Sequence, residues 1–414
     1  MIGLLIQDNA YEQDIRELLM SFYPGEAYAH EVKDGVSFYV ESRLGEGEVS
    51  LRIWERAERA ADGEEALLTD CPPAPTESDR ACPPSGLEGW RCVSHGSRKT
   101  DLSDRTETKN VVKKLFYQML VQRTGKELPW GSLTGIRPTK IALSRLMEGW
   151  REEDIRSFMK ETYLASDEKI NLCIEIGARE KELLAPLDYE RGYSLYVGIP
   201  FCPTTCLYCS FTSYPVSKWK GRTGLYLDAL FKELAYTAGR MAGRPLDTVY
   251  IGGGTPTSLE AEELDRLLER MEELFDTEHA LEFTVEAGRP DSITREKLSV
   301  LKAHGITRIS INPQTMNQKT LDLIGRRHTV DMVKEKFYMA RELGFDNINM
   351  DLIMGLPEET LEDVDRTLEE IRALSPDSLT VHSLAIKRAA RLNMFKEEYS
   401  GLHIVNTPEM IERS

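Results

Sequence analysis

After residue 193 the chain alternates between short apolar runs and longer segments with helical periodicity. The short runs are rich in β-branched and aromatic residues, which is typical of buried strands. They lie at 194–199, 247–251, 281–286, 306–311, 347–353 and 378–383. The helical patterns between them lie near 222–241, 260–274, 293–303, 330–343 and 359–373. This alternation predicts right-handed crossovers and a parallel sheet, either as a partial (β/α) barrel or as an open doubly wound sheet.

The amino-terminal half has a different pattern. A helical period over 11–22 and alternating strands at 36–40 and 49–53 predict a small α+β domain. Prolines, serines and acidic residues then replace the periodic pattern, so little apolar surface can be buried there. We therefore expect five segments: a small α+β domain (1–54), a flexible low-complexity insertion (55–109), a helical region that completes the amino-terminal domain (110–190), the regular α/β region (191–390) and the start of a carboxyl-terminal region (391–414).

Charge and hydropathy exclude several classes of protein. The 414 residues include 69 acidic and 52 basic side chains, giving a formal charge of −17. This surplus of negative charge disfavours general attraction to nucleic acid or to anionic membranes. No run approaches the roughly 18 apolar residues of a membrane span, and the amino terminus lacks the basic leader of a secretory signal. We expect a cytoplasmic protein.

The strongest chemical signal is a Cys-x3-Cys-x2-Cys motif formed by Cys202, Cys206 and Cys209, directly after the first strand of the regular region. Three thiolates at this spacing can hold one compact metal centre, and a structural zinc site would need a fourth ligand. A [4Fe–4S] cluster held by three cysteines leaves one iron open, which indicates catalysis. Zinc and a purely structural cysteine cluster are the alternatives. The other cysteines are Cys71, Cys82 and Cys92, interpreted as free thiols in the insertion, and the isolated Cys173.

A second signal is the glycine run in 250–257, immediately after the second strand. Glycines let a backbone approach a ligand closely, although a tight turn is an equal alternative. Glu286 ends the third strand, Gln314 follows the fourth and Asp351 lies late in the fifth. Because the carboxyl ends of parallel strands meet at one edge, these features predict a single active site there.

Together the motifs resemble the radical S-adenosylmethionine (SAM) enzymes, whose cluster loop and SAM loop match the cysteine motif and the Gly-Gly-Gly-Thr-Pro run. Residues 196–202 and 349–357 look like the oxygen-independent coproporphyrinogen III oxidase branch, and 131–138 is similar to its HemZ type. The resemblance implies a partial (β/α)6 radical SAM barrel preceded by a smaller α+β and helical region.

The resemblance also implies the cofactors, which are a [4Fe–4S] cluster and one SAM or two. The implied cluster ligands are Cys202, Cys206 and Cys209. The residues implied to surround SAM are Tyr196, Tyr208, Gly253, Gly254, Thr255 and Glu286. Those at positions that hold a second SAM or shape the adjoining pocket are Gln314, Arg326 and Asp351. No catalytic side chain beyond the cluster and SAM is implied.

The implied reaction is oxidative decarboxylation of coproporphyrinogen III to protoporphyrinogen IX in porphyrin and haem biosynthesis. This porphyrinogen is a tetracarboxylate, so its pocket needs cations. Lys218, Lys220 and Arg222 are candidates, with a solvated basic turn as the alternative. The same residues are also candidates for docking an electron donor such as a flavodoxin or ferredoxin.

Three features depart from the oxidase pattern. Phe211 stands where the oxidase proper has a fourth cysteine. The absence of this cysteine is shared with relatives that act as haem chaperones. Gly198 replaces a histidine common in the family, and the chain ends at Ser414, before the carboxyl-terminal cap expected of the HemZ type. A haem-binding chaperone of the same fold, and radical SAM chemistry on another substrate, are therefore the alternatives.

Overall fold

The computed structural model describes residues 1–56, 84–134, 137–399 and 401–402. Its chain divides into two compact units, Met1–Ala185 and Pro186–Ser414. Among the described residues, no helix combines the length and the apolar content that crossing a membrane would require.

The described residues of the first unit form a five-stranded mixed sheet and five α-helices. The strands are β1 (Ile2–Ile6), β2 (Tyr28–Ala29), β3 (Phe38–Gly45), β4 (Glu48–Arg56) and β5 (Trp90–Lys99), in the order β2-β1-β3-β4-β5. The helices are α1 (Glu12–Phe22), α2 (Arg105–Thr124), α3 (Thr139–Met147), α4 (Glu152–Tyr163) and α5 (Asp167–Leu184). β1 is parallel to β2 and β3, whereas β3, β4 and β5 pair antiparallel. The buried faces of α1 and α2 share one apolar core with this sheet.

The predicted flexible insertion over 55–109 is wrong for its carboxyl-terminal part, because β5 and the first turns of α2 lie there. Within the described part of the chain β5 pairs only with β4, and it exposes most of its side chains, so its sequence lacks the apolar alternation that predicts a strand. Cys92 belongs to this strand and not to a loop. Residues 57–83, including Cys71 and Cys82, lie outside the described residues.

Cys173 is completely buried in a small helical core, where it packs with Ala142, Ile155 and Met159. Burial raises the pKa of its thiol to about 11. A thiol that stays protonated in an apolar environment is a packing residue and a poor metal ligand.

The second unit is an α/β barrel segment. Its strands are β6 (Tyr193–Ile199), β7 (Phe201–Cys202), β8 (Tyr214–Pro215), β9 (Leu246–Gly253), β10 (Glu282–Glu286), β11 (Arg308–Ser310), β12 (Ile348–Met354) and β13 (Ser378–Ser383). Its helices are α6 (Thr223–Met241), α7 (Ala261–Leu274), α8 (Arg295–Ala303), α9 (Gln318–Leu323), α10 (Val330–Glu342), α11 (Leu361–Leu374) and α12 (Arg391–Met394). All six predicted strands and the five predicted helices between them are present, and none of their predicted bounds differs from the observed one by more than two residues.

Six of these strands form one parallel sheet in the order β6-β9-β10-β11-β12-β13. The order follows the chain without reversal, whereas a doubly wound sheet reverses at a switch point. The partial six-stranded barrel is therefore confirmed, and the doubly wound alternative is wrong.

Local sequence fixes where the barrel helices begin. Thr294, Thr329 and Thr360 each accept a backbone N–H of the first turn of α8, α10 and α11. The faces of these helices that point inward pack on strand residues of one large apolar core. Fixed helix starts and a continuous core hold the carboxyl ends of the strands, and the loops that follow them, at one edge of the sheet.

Candidate active site

The cysteine motif lies in the loop that follows β6, and neighbouring backbone holds this loop on two sides. The amides of Gly254 and Thr255 donate to the carbonyls of Ile199 and Phe201 at 2.8 and 2.7 Å. On the other side, the Leu207 amide donates to the Ile324 carbonyl at 2.9 Å. The loop is thereby fixed to the ends of the strands β6 and β9 and to the segment after α9.

The glycine run at the end of β9 is required by this packing. A Cβ on Gly254 would lie 2.6 Å from the Phe201 carbonyl oxygen, and one on Gly253 would lie 3.0 Å from the Ile199 amide nitrogen. Gly253 also has φ of 102°, which side chains rarely adopt. The glycines thus bring the backbone close to the cysteine loop itself, a role that the sequence did not predict.

Each of the three sulfurs has a defined environment. Cys202 Sγ lies 3.3 Å from Thr255 Oγ1, and Cys206 Sγ accepts a hydrogen bond from Arg289 Nη1 at 3.6 Å. The Cys209 amide donates to the Cys206 carbonyl at 3.2 Å, which closes the turn. Burial raises the pKa values of the Cys202 and Cys209 thiols. Backbone of Phe211 also contacts the Cys209 thiol, so a polar contact reaches each of the three predicted cluster ligands.

Among the described residues, no three or more His, Cys, Asp or Glu side chains are grouped to hold a metal ion. In a group of that kind, all of the side chains would bind one ion. In an iron–sulfur cluster the thiolates bind different irons, so they are spaced more widely around the cluster.

Arg326 and Tyr208 lie beside Cys206. Burial lowers the pKa of the Arg326 guanidinium, but Tyr208 and Cys206 raise it by more, so the side chain stays charged. Burial also raises the pKa of the Tyr208 hydroxyl. Arg326 Nη1 donates to the Asn312 carbonyl, and its Nε has no hydrogen-bond partner in the described residues. The arginine therefore brings a buried positive charge to the cysteine loop.

Tyr196, Tyr250 and Glu286 form an array across the first three strands of the sheet. The Tyr196 and Tyr250 rings are stacked with centroids 5.9 Å apart, and the Tyr250 hydroxyl donates to Glu286 Oε1. Burial, with a contribution from Asp351, raises the pKa of Glu286, whereas the Tyr250 hydrogen bond lowers it. Tyr250 was not predicted as a site residue, although its alternation with Gly252 places both on one face of β9.

Gln314, in the segment after β11, meets Asp351 of β12. The Gln314 amide donates to the Asp351 carbonyl and the Gln314 carbonyl accepts from Ile353, both at 2.9 Å. Gln314 has φ of 69°, an uncommon backbone conformation that is often found at functional sites. The Asp351 carboxylate accepts from Asn349 Nδ2 at 2.7 Å, which fixes its orientation. Hydrogen bonds from the Asp351 amide and from Arg326 to Asn312 join these residues into one group.

A cavity of about 270 Å³ lies beside β6, where Tyr196 and Gly253 meet. Its other lining residues are Gly198, Ile199, Pro200, Phe211, Thr212 and Tyr226. Both residues that depart from the oxidase pattern, Gly198 and Phe211, thus face the same space. Phe211 is 75% exposed there, although apolar rings of this size are usually covered.

The predicted basic residues lie farther along the chain, at a short 3-10 turn (Val216–Trp219). Lys218, Lys220 and Arg222 are all exposed. Arg222 lies over the Trp219 ring at 4.7 Å and donates to the Lys218 carbonyl at 3.2 Å. This contact orders the turn, and the predicted substrate or donor contact stays a prediction.

Two residues that matter for the geometry, Arg289 and Asp291, were missed. They follow β10, and the guanidinium pairs with the carboxylate at 2.7 Å while also reaching the cysteine loop. The only signal in the sequence was their place in the loop after the third strand, directly beyond Glu286.

Comparison with known proteins gives consistent matches. Residues 196–371 match the model of the radical SAM superfamily. The oxygen-independent coproporphyrinogen-III oxidase-like protein HemZ of Bacillus subtilis is 40% identical over 372 residues, which cover 87% of this chain and 74% of HemZ. The heme chaperone HemW of the same organism is 38% identical over 47% of this chain and 51% of HemW. The structure of the coproporphyrinogen III oxidase HemN from Escherichia coli, a radical SAM enzyme, matches with a TM-score of 0.50 and 32% identity over 56% of this chain and 54% of HemN.

Radical SAM proteins use a [4Fe–4S] cluster and SAM. The donor set fits them, because three cysteine sulfurs suit iron and Arg326 places an unpaired Nε beside the cysteine loop. The chain spans about half the length of HemW and HemN but three quarters of HemZ. Its match to HemZ and its barrel show that the chain belongs to the radical SAM superfamily and, within it, to the oxygen-independent coproporphyrinogen-III oxidase-like family of HemZ type.

Proposed function

We propose that this protein is an oxidoreductase that converts coproporphyrinogen III to protoporphyrinogen IX without oxygen. In this reaction each of two propionate side chains loses a hydrogen atom, carbon dioxide and one electron, and becomes a vinyl group. The hydrogen atom would be transferred to 5′-deoxyadenosine derived from SAM, and the electron to a one-electron acceptor. The observation that carries the proposal is the match to HemZ over most of the chain, together with the match to the HemN barrel.

The roles follow from the site. Cys202, Cys206 and Cys209 would hold the cluster, and Glu286 would accept hydrogen bonds from SAM, oriented by Tyr250. When bound, the cluster and SAM supply reductive cleavage of the sulfonium and thereby hydrogen-atom abstraction. The protein's own residues bind and orient these groups and exclude water from them.

The second group of residues, Gln314, Arg326 and Asp351, would bind a second SAM or shape the substrate pocket. Its hydrogen bonds through Asn312 give it one fixed geometry. Asp351 also contributes to the raised pKa of Glu286, so its charge acts on the array that would hold the first SAM. A fixed arrangement of this kind is suited to a reaction that needs SAM and substrate in one orientation.

Cations suited to carboxylates line a cleft of about 630 Å³ beside the cysteine loop. Arg326, Arg327 and Arg391 lie there with the hydroxyls of Thr204 and Thr205. Arginine binds carboxylates in a bidentate manner, which matches the propionate groups of the proposed substrate. The sequence suggested Lys218, Lys220 and Arg222 for this role, and we retain them as candidates for an acidic electron donor such as a flavodoxin or ferredoxin. The cytoplasmic location stays a prediction.

The test is an anaerobic assay with reconstituted protein, a reductant, SAM and coproporphyrinogen III, in which mass spectrometry follows 5′-deoxyadenosine and protoporphyrinogen IX. We expect both to accumulate, and neither to form with the Cys206→Ala variant. Formation of 5′-deoxyadenosine that does not depend on coproporphyrinogen, with no porphyrin product, would show that the substrate is wrong.

A second candidate function is haem delivery without porphyrinogen oxidation. It is favoured by the match to HemW and by Phe211 and Gly198, which line the same cavity. Under this alternative, the reconstituted protein binds haem tightly, retains its cluster, and yields no protoporphyrinogen in the same assay.

A further inference from the structure

Arg289 is an arginine of the barrel interior, with 2% of its surface exposed. Its Nε and Nη2 donate to the two carboxylate oxygens of Asp291 at 2.9 and 2.7 Å. The remaining nitrogen, Nη1, faces the cysteine loop and donates to Thr204 Oγ1 at 3.0 Å and to Cys206 Sγ at 3.6 Å. A single guanidinium thus connects the loop after β10 with the middle cysteine of the motif.

The turn that carries Arg289 is itself held in place. Ser292 Oγ donates to the Arg289 carbonyl at 2.7 Å and lies 2.7 Å from Thr257 Oγ1, at the end of the glycine loop. Lys297 Nζ, also buried, donates to the Thr257 and Ser292 carbonyls at 2.8 and 3.3 Å. The position of the guanidinium is therefore determined by two elements besides the cysteine loop.

The contact with sulfur distinguishes Arg289 from a simple loop anchor. Anchoring requires only the bonds to Thr204, which would hold the loop without the sulfur. The N–H that reaches Cys206 instead places a positive charge next to a buried cysteine sulfur. Asp291 balances this charge, because an unpaired buried arginine would be strongly destabilising.

We propose that Arg289 is a positioning residue for the [4Fe–4S] cluster, which holds Cys206 and favours the reduced state, with Asp291 fixing its guanidinium. Hydrogen bonds to cluster sulfurs and nearby charges set the reduction potential of iron–sulfur clusters. Reduction adds one electron, so a neighbouring cation stabilises the reduced state. The inference rests on the assignment of the cluster to the three cysteines and is independent of the identity of the substrate.

The experiment measures iron content and reduction potential in anaerobically reconstituted full-length protein, by dithionite titration followed with electron paramagnetic resonance. Neither SAM nor a porphyrinogen is present. For Arg289→Gln we expect a wild-type iron content and a reduction equilibrium at least about tenfold less favourable, which is about 59 mV more negative. Arg289→Lys keeps the charge, so its shift should be smaller. Arg295→Gln is the matched control, since Arg295 pairs with Glu342 at the surface, and should leave the potential unchanged.

Asp291→Asn provides the opposite change. It leaves Arg289 in place and removes the balancing negative charge, so the potential should become more positive. If Arg289→Gln does not retain its cluster, the sign of the Asp291→Asn shift decides alone. The proposal is overturned if Arg289→Gln has full iron content and the wild-type potential, or if Asp291→Asn shifts the potential negatively or leaves it unchanged. Because no substrate is used, failure of the porphyrinogen assay does not affect this result.

Discussion

The two sides of the active site differ in how completely the protein determines them. On the closed side, defined here as Cys202–Cys209 with Gly252–Thr255 and Arg289, backbone and side-chain hydrogen bonds fix the loop from several directions. On the open side, defined as Tyr196, Gly198, Phe211 and Tyr226, exposed rings surround a cavity. A hydrogen bond from Tyr226 to the Gly198 carbonyl joins two of these residues.

This difference separates two functions. A cofactor shared by a whole superfamily needs one fixed geometry, and we propose that the closed side provides it. Substrate choice can vary among relatives, and the two residues that depart from the oxidase pattern, Gly198 and Phe211, lie on the open side. The closed side therefore supports the general chemistry, and the open side is where oxidase and chaperone would differ.

The largest expected effect is on the closed side. Cys206→Ala should abolish the brown iron–sulfur chromophore, because it removes the cysteine that both flanking turns and Arg289 hold. Cys173→Ala is the matched control. It should keep the full chromophore at a cost of about 1 kcal/mol in stability, since this buried thiol only fills space. Iron analysis and absorbance of reconstituted proteins measure both, and bleaching by Cys173→Ala would show that the ligands are assigned wrongly.

The next effect concerns SAM. Glu286→Gln should weaken SAM binding roughly tenfold to a hundredfold, the usual range for a lost hydrogen bond to a charged group. Tyr250→Phe removes the hydrogen bond that lowers the pKa of Glu286, so this carboxyl should become protonated at a higher pH. At high pH, Tyr250→Phe should then bind SAM nearly as well as wild type. On acidification, the variant should lose SAM binding at a higher pH than wild type does. Calorimetric titrations over a pH series test this, and unchanged binding by Glu286→Gln would remove Glu286 from the SAM site.

Two glycines provide a direct test of the difference between the sides. Gly254→Ala should lower the free energy of unfolding by about 3 kcal/mol and reduce iron content, because its Cβ would lie 2.6 Å from the Phe201 carbonyl oxygen. Gly198→Ala should change stability by less than about 0.5 kcal/mol, since its Cβ meets only the Tyr196 ring at 3.4 Å. Thermal unfolding and iron analysis distinguish them, and equal behaviour of the two variants would contradict the comparison.

A smaller effect is expected from Glu359, which contacts Thr315, the residue after Gln314. Glu359 is buried, accepts a hydrogen bond from Thr315, and has its pKa raised by burial to about 7. The pKa of Glu359 in the folded state lies above the ordinary 4.5. The contribution of its neutral carboxyl to stability is therefore complete below pH 4.5 and is lost as the pH rises through about 7. Glu359→Gln should remove this dependence and stabilise the protein by about 1–2 kcal/mol at pH 8. Denaturation at pH 5 and pH 8 measures it, and an unchanged pH dependence would contradict the shifted pKa.

Much of the barrel could be predicted because each strand and helix carries its own period, and because the cysteine and glycine motifs are continuous in sequence. β5 could not, since this edge strand exposes most of its side chains and therefore carries no apolar alternation. Arg289 and Tyr250 were missed for a different reason. Their roles depend on contacts with Cys206 and Glu286 that form only when separate strand ends meet. The packing of the glycine run against the cysteine loop could not be predicted for the same reason.

The central claim is that the closed side holds a cluster with one iron left for SAM. It is tested most directly by electron paramagnetic resonance of the reduced, reconstituted protein before and after SAM is added. We predict a [4Fe–4S] signal whose shape changes when SAM binds, and no such signal in Cys206→Ala. A cluster signal in wild type that SAM leaves unchanged, or a signal that persists in Cys206→Ala, would contradict the claim.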